Sequence, residues 1–455
     1  MRRWVAWNLF FRLQEYAKGH ATFRILREME AVDRMPAEAL QRLQSEKLRD
    51  LIVYCHAHVP YVRAQMQAAG ISPDDIRDTG ALRHFPVLRK ADVRKHRESL
   101  KSEIATDLSP FSTGGSTGEP LIFDVAKRRA ASRVACRQRV SRWWGVSVGD
   151  PEIALWGSPV ELTRQDRLRA LRDKLFATQL LPAFEMNEEM MSSYLDILER
   201  RPCNQIFGYP SAIYQLCEHA RKQGRNLAKV GVKAVFVTGE VLLPYHRETI
   251  SEAFGCAVAN GYGGRDSGFI SHECPHGGMH VMADAVIVEI LDSAGRPASP
   301  GEAGEIVVTD LYSHEAPFIR YATGDLAAWS NAICQCGRAL PLLDRIEGRS
   351  NDSIVTPDGR VMNSLALIYA VREVDGIEQF RIRQKAASWF HVEVVRNERF
   401  QADAEDRIRR SWTQLLRSPA DVTFEYVQAI PPEASGKFRH VISDIGLVRP
   451  QVSGV

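Results

Sequence analysis

Between about Pro36 and Arg97, Leu40, Leu43, Leu48, Leu51, Ile52 and Tyr54 return close to every 3.6 residues, the period of a helix with one buried face. Pro60, Pro73 and Pro86 interrupt the pattern, so an N-terminal helical region is predicted in several pieces. Farther along, short apolar runs at Glu152–Trp156, Gln205–Phe207, Lys233–Val237 and Cys256–Ala259 are separated by longer helical stretches. Such alternation predicts an α/β core around a largely buried sheet. Ala285–Leu291 and Gly304–Asp310 alternate as antiparallel strands do and predict a smaller β subdomain. The polar stretch Gly348-Arg349-Ser350-Asn351-Asp352 marks a boundary between residues 1–347 and a small C-terminal domain at 348–455, long enough to fold by itself. No internal repeat or low-complexity tract is visible.

Composition narrows the class. At 455 residues with 45% apolar positions, the chain can fill two or three cores, as an enzyme-sized globular protein does. Its 59 basic and 56 acidic side chains nearly cancel, which argues against global attraction to nucleic acid. Lys127, Arg128, Arg129, Arg133, Arg137, Arg139 and Arg142 recur at helical spacing and read as a solvated helix face. The opening stretch Met1–Leu13 is apolar with basic flanks and suits an interfacial helix as well as a docked one; docking, without membrane contact, is the expectation. No cleavable signal is recognisable, and no run approaches the roughly 18 apolar residues of a membrane span. Eight cysteines in this length make no disulfide scaffold, so a reducing cytoplasm is expected, and a homodimer is the commonest assembly.

The run Phe111-Ser112-Thr113-Gly114-Gly115-Ser116-Thr117-Gly118-Glu119-Pro120 gathers hydroxyls and glycines in a loop that can aim several backbone N–H groups at one anion. It lacks the Gly-Lys-Ser/Thr ending of a Walker loop. Three more segments follow in order: Tyr262-Gly263-Gly264-Arg265-Asp266, Tyr321-Ala322-Thr323-Gly324-Asp325-Leu326 and Ser435-Gly436-Lys437-Phe438-Arg439, with Gly348-Arg349 between the last two. The set resembles the motifs of the adenylate-forming superfamily of acyl-CoA synthetases, adenylation domains and luciferases. Val59-Pro60-Tyr61, Phe85-Pro86-Val87-Leu88-Arg89-Lys90 and Gly208-Tyr209-Pro210-Ser211 look most like its phenylacetate–CoA ligase and CapK-type branch.

That resemblance implies a large N-terminal α/β domain with a β subdomain and a mobile C-terminal α+β domain. It also implies ATP-dependent activation of a carboxylic acid to an acyl- or aryl-adenylate, then transfer to a thiol, usually that of coenzyme A. Both reactants are anionic, so charge neutralisation is the central task. By the resemblance, the Ser112–Gly118 loop holds the β- and γ-phosphates, and Asp266 stands where the family carries a glutamate near Mg²⁺. Tyr262 and Gly263, with the Gly239-Glu240 turn, lie at the adenine, and Asp325 binds the ribose with Arg349 nearby. Lys437, delivered by the small domain, stabilises the transition state. Tyr209, Phe236 and the segment from Gly261 border the acid pocket. An amide-forming ligase using an amine acceptor, or a nucleotide-binding protein without turnover, are the alternatives. The hinge departs from the family pattern: Asn351 precedes Asp352, Thr356-Pro357-Asp358-Gly359-Arg360 differs from the usual hinge sequence, and Leu121 follows Pro120 where a lysine is common.

Cys274-Pro275-His276-Gly277-Gly278-Met279-His280 and Cys334-Gln335-Cys336-Gly337 put thiols and imidazoles in two turn-rich segments. Four N/S ligands in two short pairs suit a closed structural zinc site, and Cys274, His280, Cys334 and Cys336 are the best set, with His276 or His272 able to replace His280. Zinc-bearing members of the phenylacetate–CoA ligase-like group carry similar pairs. Cys55, Cys136, Cys203, Cys217 and Cys256 lack ligand spacing and read as small buried hydrophobes, and His56 and His58 as ordinary helix residues.

Overall fold

The computed structural model describes residues 2–113, 121–156, 175–183, 186–349, 353–358, 361–431 and 438–445. Two compact units emerge, one built from Met1–Thr323 and Ala327–Ile346, the other chiefly from Gly324–Leu326, Glu347–Glu433 and Lys437–Val455.

The first unit begins with helices. Ala37–His58 buries Leu40, Leu48, Leu51, Ile52 and Cys55, and Pro60 opens the next helix, Pro60–Ala69, where its missing N–H costs nothing. Strands β1 (Leu108–Ser112) and β2 (Ile122–Ala126) form an antiparallel hairpin, and β2 runs directly into the helix Lys127–Trp143. Strands β3 (Glu152–Leu155), β4 (Thr178–Leu181), β5 (Gln205–Gly208), β6 (Ala234–Thr238) and β7 (Ala257–Gly264) pair in parallel in the order β4-β3-β5-β6-β7. Helices Glu188–Arg200, Pro210–Lys222 and Pro244–Phe254 make the crossovers after β4, β5 and β6. The continuous apolar runs are explained by burial on both faces: Val235 and Val237 join one core cluster and Ala234 and Phe236 another.

The sheet continues with β8 (Gly268–Glu273), β9 (Met279–Val281), β10 (Val286–Leu291), β11 (Gly304–Asp310), β12 (Tyr321–Ser330) and β13 (Leu342–Arg349), in the spatial order β7-β8-β9-β13-β12-β11-β10, giving eleven strands in all; β7–β8, β8–β9, β9–β13 and β10–β11 are antiparallel. The Tyr321–Leu326 motif therefore lies within a strand. Likewise the Tyr262–Gly264 segment is the end of β7 itself.

The second unit holds a hairpin of β14 (Ser353–Val355) and β15 (Val361–Asn363) and a sheet of β16 (Ile377–Ala386), β17 (Trp389–Arg396), β18 (Asp421–Tyr426) and β19 (Val441–Ser443), ordered β18-β17-β16-β19. Helices Leu365–Arg372 and Ala404–Leu416 accompany it, and Trp412 is wholly buried against Phe390.

The basic run is a helix, but not a solvated face. Arg129 and Arg139 are 1% and 0% exposed. Arg139 bonds Asp284 at 2.7 Å and Asp33 at 2.6 Å, and Arg129 bonds Asp310 at 2.7 Å. Those carboxylates are distant in sequence, and their charge makes burial of the guanidiniums tolerable.

Candidate active site and metal centre

The C-terminal ends of the parallel strands carry the first group of predicted residues. Tyr209 follows β5, stacks on Trp156 with centroids 4.1 Å apart and lies against Gly239, the residue after β6. Glu240 accepts the N–H of Ser211 at 3.2 Å, tying the β6 turn to the start of the Pro210–Lys222 helix. Gly261 packs against His272, whose ring sits among Phe236 and Phe269. Burial pushes the His272 imidazole down to about 4, and its Nδ1 lies 2.9 Å from the Glu273 carbonyl. Phe236 is buried in the core with Trp144 and Phe207.

A second group gathers where β7 turns into β8. Only glycine fits at Gly263, since a Cβ there would stand 2.2 Å from the Gly268 carbonyl oxygen. Asp266, in that turn, accepts a bond from the Tyr321 hydroxyl at 2.6 Å and from the Ser267 N–H at 3.0 Å. The Arg129 guanidinium, already paired with Asp310, donates to the Asp266 carbonyl at 2.5 Å and lies over Phe318. Beside it, burial and the Arg129 charge lower Arg133 to about 9, with Asp310 and Asp266 opposing. Arg265 reaches the Ser112 carbonyl at 3.5 Å, and the Tyr262 hydroxyl donates to Thr323 Oγ1 at 3.4 Å. Thus the β1–β2 hairpin, the Asp266 turn and the start of β12 are joined within the first unit. Thr113 closes that hairpin: its N–H donates to the Leu121 carbonyl, and its hydroxyl accepts the Leu121 N–H, each at 3.0 Å.

Other candidates are placed less fully. Gly114, Gly115, Ser116, Thr117, Gly118 and Lys437 lie outside the described residues. Asp325 is on β12 two positions beyond Thr323, and Arg349 ends β13. In the second unit, Arg381 on β16 holds both flanks of the stretch bearing Lys437, donating to the Pro431 carbonyl at 2.6 Å and lying over the Phe438 ring. The sequence assigned no site role to Arg129, Tyr321, Trp156 or Arg381. Tyr321 alone carried a signal, standing two residues before the Thr-Gly-Asp motif.

The metal candidates do converge. One ligand atom each from Cys274, His280, Cys334 and Cys336 lies within 4.8 Å of all the others. Cys274 Sγ is 3.5 Å from Cys334 Sγ, and Cys336 Sγ is 3.1 Å from His280 Nε2. Ligands around a tetrahedral zinc, with bonds of about 2.0–2.3 Å, stand roughly 3.4–3.8 Å apart, and these two separations lie at or just below that range. A Cβ on Gly278 would come within 2.7 Å of Cys334 Sγ, so that position must lack a side chain. His280 Nδ1 faces the Leu340 carbonyl at 3.3 Å, which assigns it the proton and leaves the Nε2 lone pair for a metal. Burial lowers His280 to about 4, keeping it neutral, and raises Cys274 to about 12. At Cys336 burial also opposes ionisation, but donation from Arg338 and the neighbouring thiols outweighs it and holds this thiol below its ordinary range. His272 lies elsewhere, against Gly261, and does not join the quartet.

This architecture, an α/β core extended by antiparallel strands with a small α+β unit after it, is the fold of the adenylate-forming enzymes. Over 91% of both chains it resembles a 2-hydroxyisobutyryl-CoA ligase in the postadenylation state in complex with R3-HIB-AMP, with a TM-score of 0.75 and 22% identity. Among curated proteins, the chain is similar in sequence to phenylacetate–CoA ligases and to a CapK protein. It is 26% identical to a phenylacetate-coenzyme A ligase of Thermus thermophilus, over 78% of this chain and 80% of that one. It is 22% identical to protein CapK of Staphylococcus aureus, over 96% and 94% of the two. Residues 354–444 match the family model of the CapK C-terminal domain.

Proposed function

We propose that this protein uses ATP to convert a carboxylic acid into an acyl- or aryl-adenylate and passes the acyl group to the thiol of coenzyme A. The observation that carries the reading is the joining of the hairpin behind the phosphate loop, the Asp266 turn and the start of β12 through Arg265, Arg129 and Tyr321. In this reading Ser112–Gly118 wraps the phosphates, Tyr262, Gly263 and the Gly239-Glu240 turn take the adenine, and Asp325 and Arg349 take the ribose. Tyr209, Phe236 and Gly261 border the acid. Asp266 would hold Mg²⁺, which when bound cancels charge between phosphate oxygens. Lys437 places a mobile cation between the α-phosphate and the carboxylate. Cys274, His280, Cys334 and Cys336 would hold a structural zinc with no open position. Reduced thiols of a cytoplasmic protein and a homodimeric assembly accompany the reading.

A second acceptor is the alternative, since an amide bond synthetase of Marinactinospora thermotolerans has a similar fold, with a TM-score of 0.52. An amine in place of the thiol would yield an amide. The test is exchange of pyrophosphate into ATP across a library of carboxylic acids. An acid that drives exchange is expected, with product formed on adding coenzyme A; exchange answered only by amines would favour amide formation, and no exchange with any acid would overturn the activity. Lys437→Ala should abolish exchange while ATP still binds.

A further inference from the structure

The N-terminal helical stretch Arg2–Ala17 is pinned by one side only. Ala6 and Phe11 are buried, and the Trp7 ring packs against Phe11 and Phe23, each with centroids 5.2 Å apart. On the other side Trp4, Leu9, Leu13 and Tyr16 are 68%, 48%, 56% and 85% exposed. The middle of the stretch, Ala6–Phe11, is a π-helical segment, whose wider turn brings Leu9 round toward Trp4; Leu13 and Tyr16 then follow at helical spacing. Four large apolar groups on one docked helix form a patch of the kind that marks a contact site.

The charge around the patch is net positive. Residues 1–30 contain Arg2, Arg3, Arg12, Lys18, Arg24 and Arg27 against Glu15, Glu28 and Glu30, with Glu28 paired to Arg24 and Glu30 to Arg142. Glu15 is wholly buried, bonded to Thr22, Lys18 and His20. A groove of about 440 Å³ adjoins the helix, with Trp7, Phe23 and Leu26 on its walls, Arg12 and Arg27 among its lining residues, and Arg142 there paired with Glu30. Apolar side chains flanked by cations suit a surface that is apolar beneath an anionic layer. No described helix is long and apolar enough to cross a bilayer.

We propose that this face seats the protein on an anionic membrane surface, with Trp4, Leu9, Leu13 and Tyr16 entering the headgroup region and the arginines pairing with lipid phosphates. The inference does not depend on the adenylating activity. To test it, full-length protein is floated with vesicles of phosphatidylcholine alone or mixed with phosphatidylglycerol. Binding to the anionic vesicles should exceed that to neutral ones by about tenfold and fall at high salt. The variant Leu9→Glu/Leu13→Glu should lose it while keeping its near-UV circular dichroism, since both positions point into solvent. In parallel, brominated lipid should quench the parent protein more than Trp4→Phe. Absence of binding to either vesicle, equal binding by parent and double variant, or quenching unaffected by Trp4→Phe would overturn the proposal. So would self-association in sedimentation velocity that the double variant abolishes without any vesicle binding, which would assign the face to a second copy.

Discussion

Replacing Tyr321 by Phe removes one hydroxyl and keeps a fully buried ring, stacked on Phe318 with centroids 4.7 Å apart. That hydroxyl donates to Asp266 Oδ2 at 2.6 Å, the short distance of a bond to a charged oxygen. Such bonds contribute about 1.5–3 kcal/mol. Asp266 is only partly buried, so water compensates in part and the lower figure applies. A loss of about 1.5 kcal/mol corresponds to roughly tenfold in rate. ATP–pyrophosphate exchange should therefore slow by about tenfold at limiting Mg²⁺ and need more Mg²⁺ for half-maximal rate, with the KM for the acid little changed and the thermal midpoint lowered by about 2–4 °C. An exchange rate within about twofold of the parent at every Mg²⁺ concentration would refute the claim that Tyr321 orients a functional Asp266.

Metal analysis should find one zinc per chain, and Gly278→Ala, by forcing a methyl against Cys334 Sγ, should lower zinc content and thermal midpoint together; full zinc in that variant would contradict the packing described. Arg139→Met leaves Asp284, itself 1% exposed in its side chain, facing no cation from this helix position, and should destabilise the fold by about 3–5 kcal/mol in urea titration. Burial, with a contribution from Arg128, depresses His314 to about 4. The unfolded chain therefore takes up a proton first, so this residue's contribution to stability is complete above about pH 6.5 and declines as pH falls toward 4. His314→Gln should flatten the pH dependence of unfolding in that window by up to about 1.4 kcal/mol per pH unit; an unchanged slope would show that the ring is not held neutral.

The strands of the core were legible because each is a compact apolar run with a helix on either side: Glu152–Trp156 and Gln205–Phe207 differ from the observed strands by one residue at an end. The Tyr321–Leu326 stretch was harder, since glycine at 324 and a threonine and aspartate around it imitate a turn although the backbone continues as β12. The basic helix misled for a different reason. Charge spacing reports that Arg129 and Arg139 share a helix, but their buried state depends on Asp33, Asp284 and Asp310, which approach only once the chain has folded. The same limit hid Tyr321 and Arg381, whose roles are defined by partners 55 and 50 residues away. The cysteine and histidine pairs were visible because each pair is local; His280 was the first choice with His272 and His276 as replacements, and β9 places it opposite Leu342 and among the three thiols.

The two halves of the cysteine–histidine cluster enclose an excursion of the chain, β10, β11 and β12, lying between residues 280 and 334. Anyone building chimeras from this protein and a homologue meets a rule in that arrangement. A crossover inside the excursion puts thiols of one parent against an imidazole of the other, whereas paired crossovers on either side of it exchange the whole insert and leave the quartet from a single parent. The safe grafting points are therefore set by where these four side chains meet.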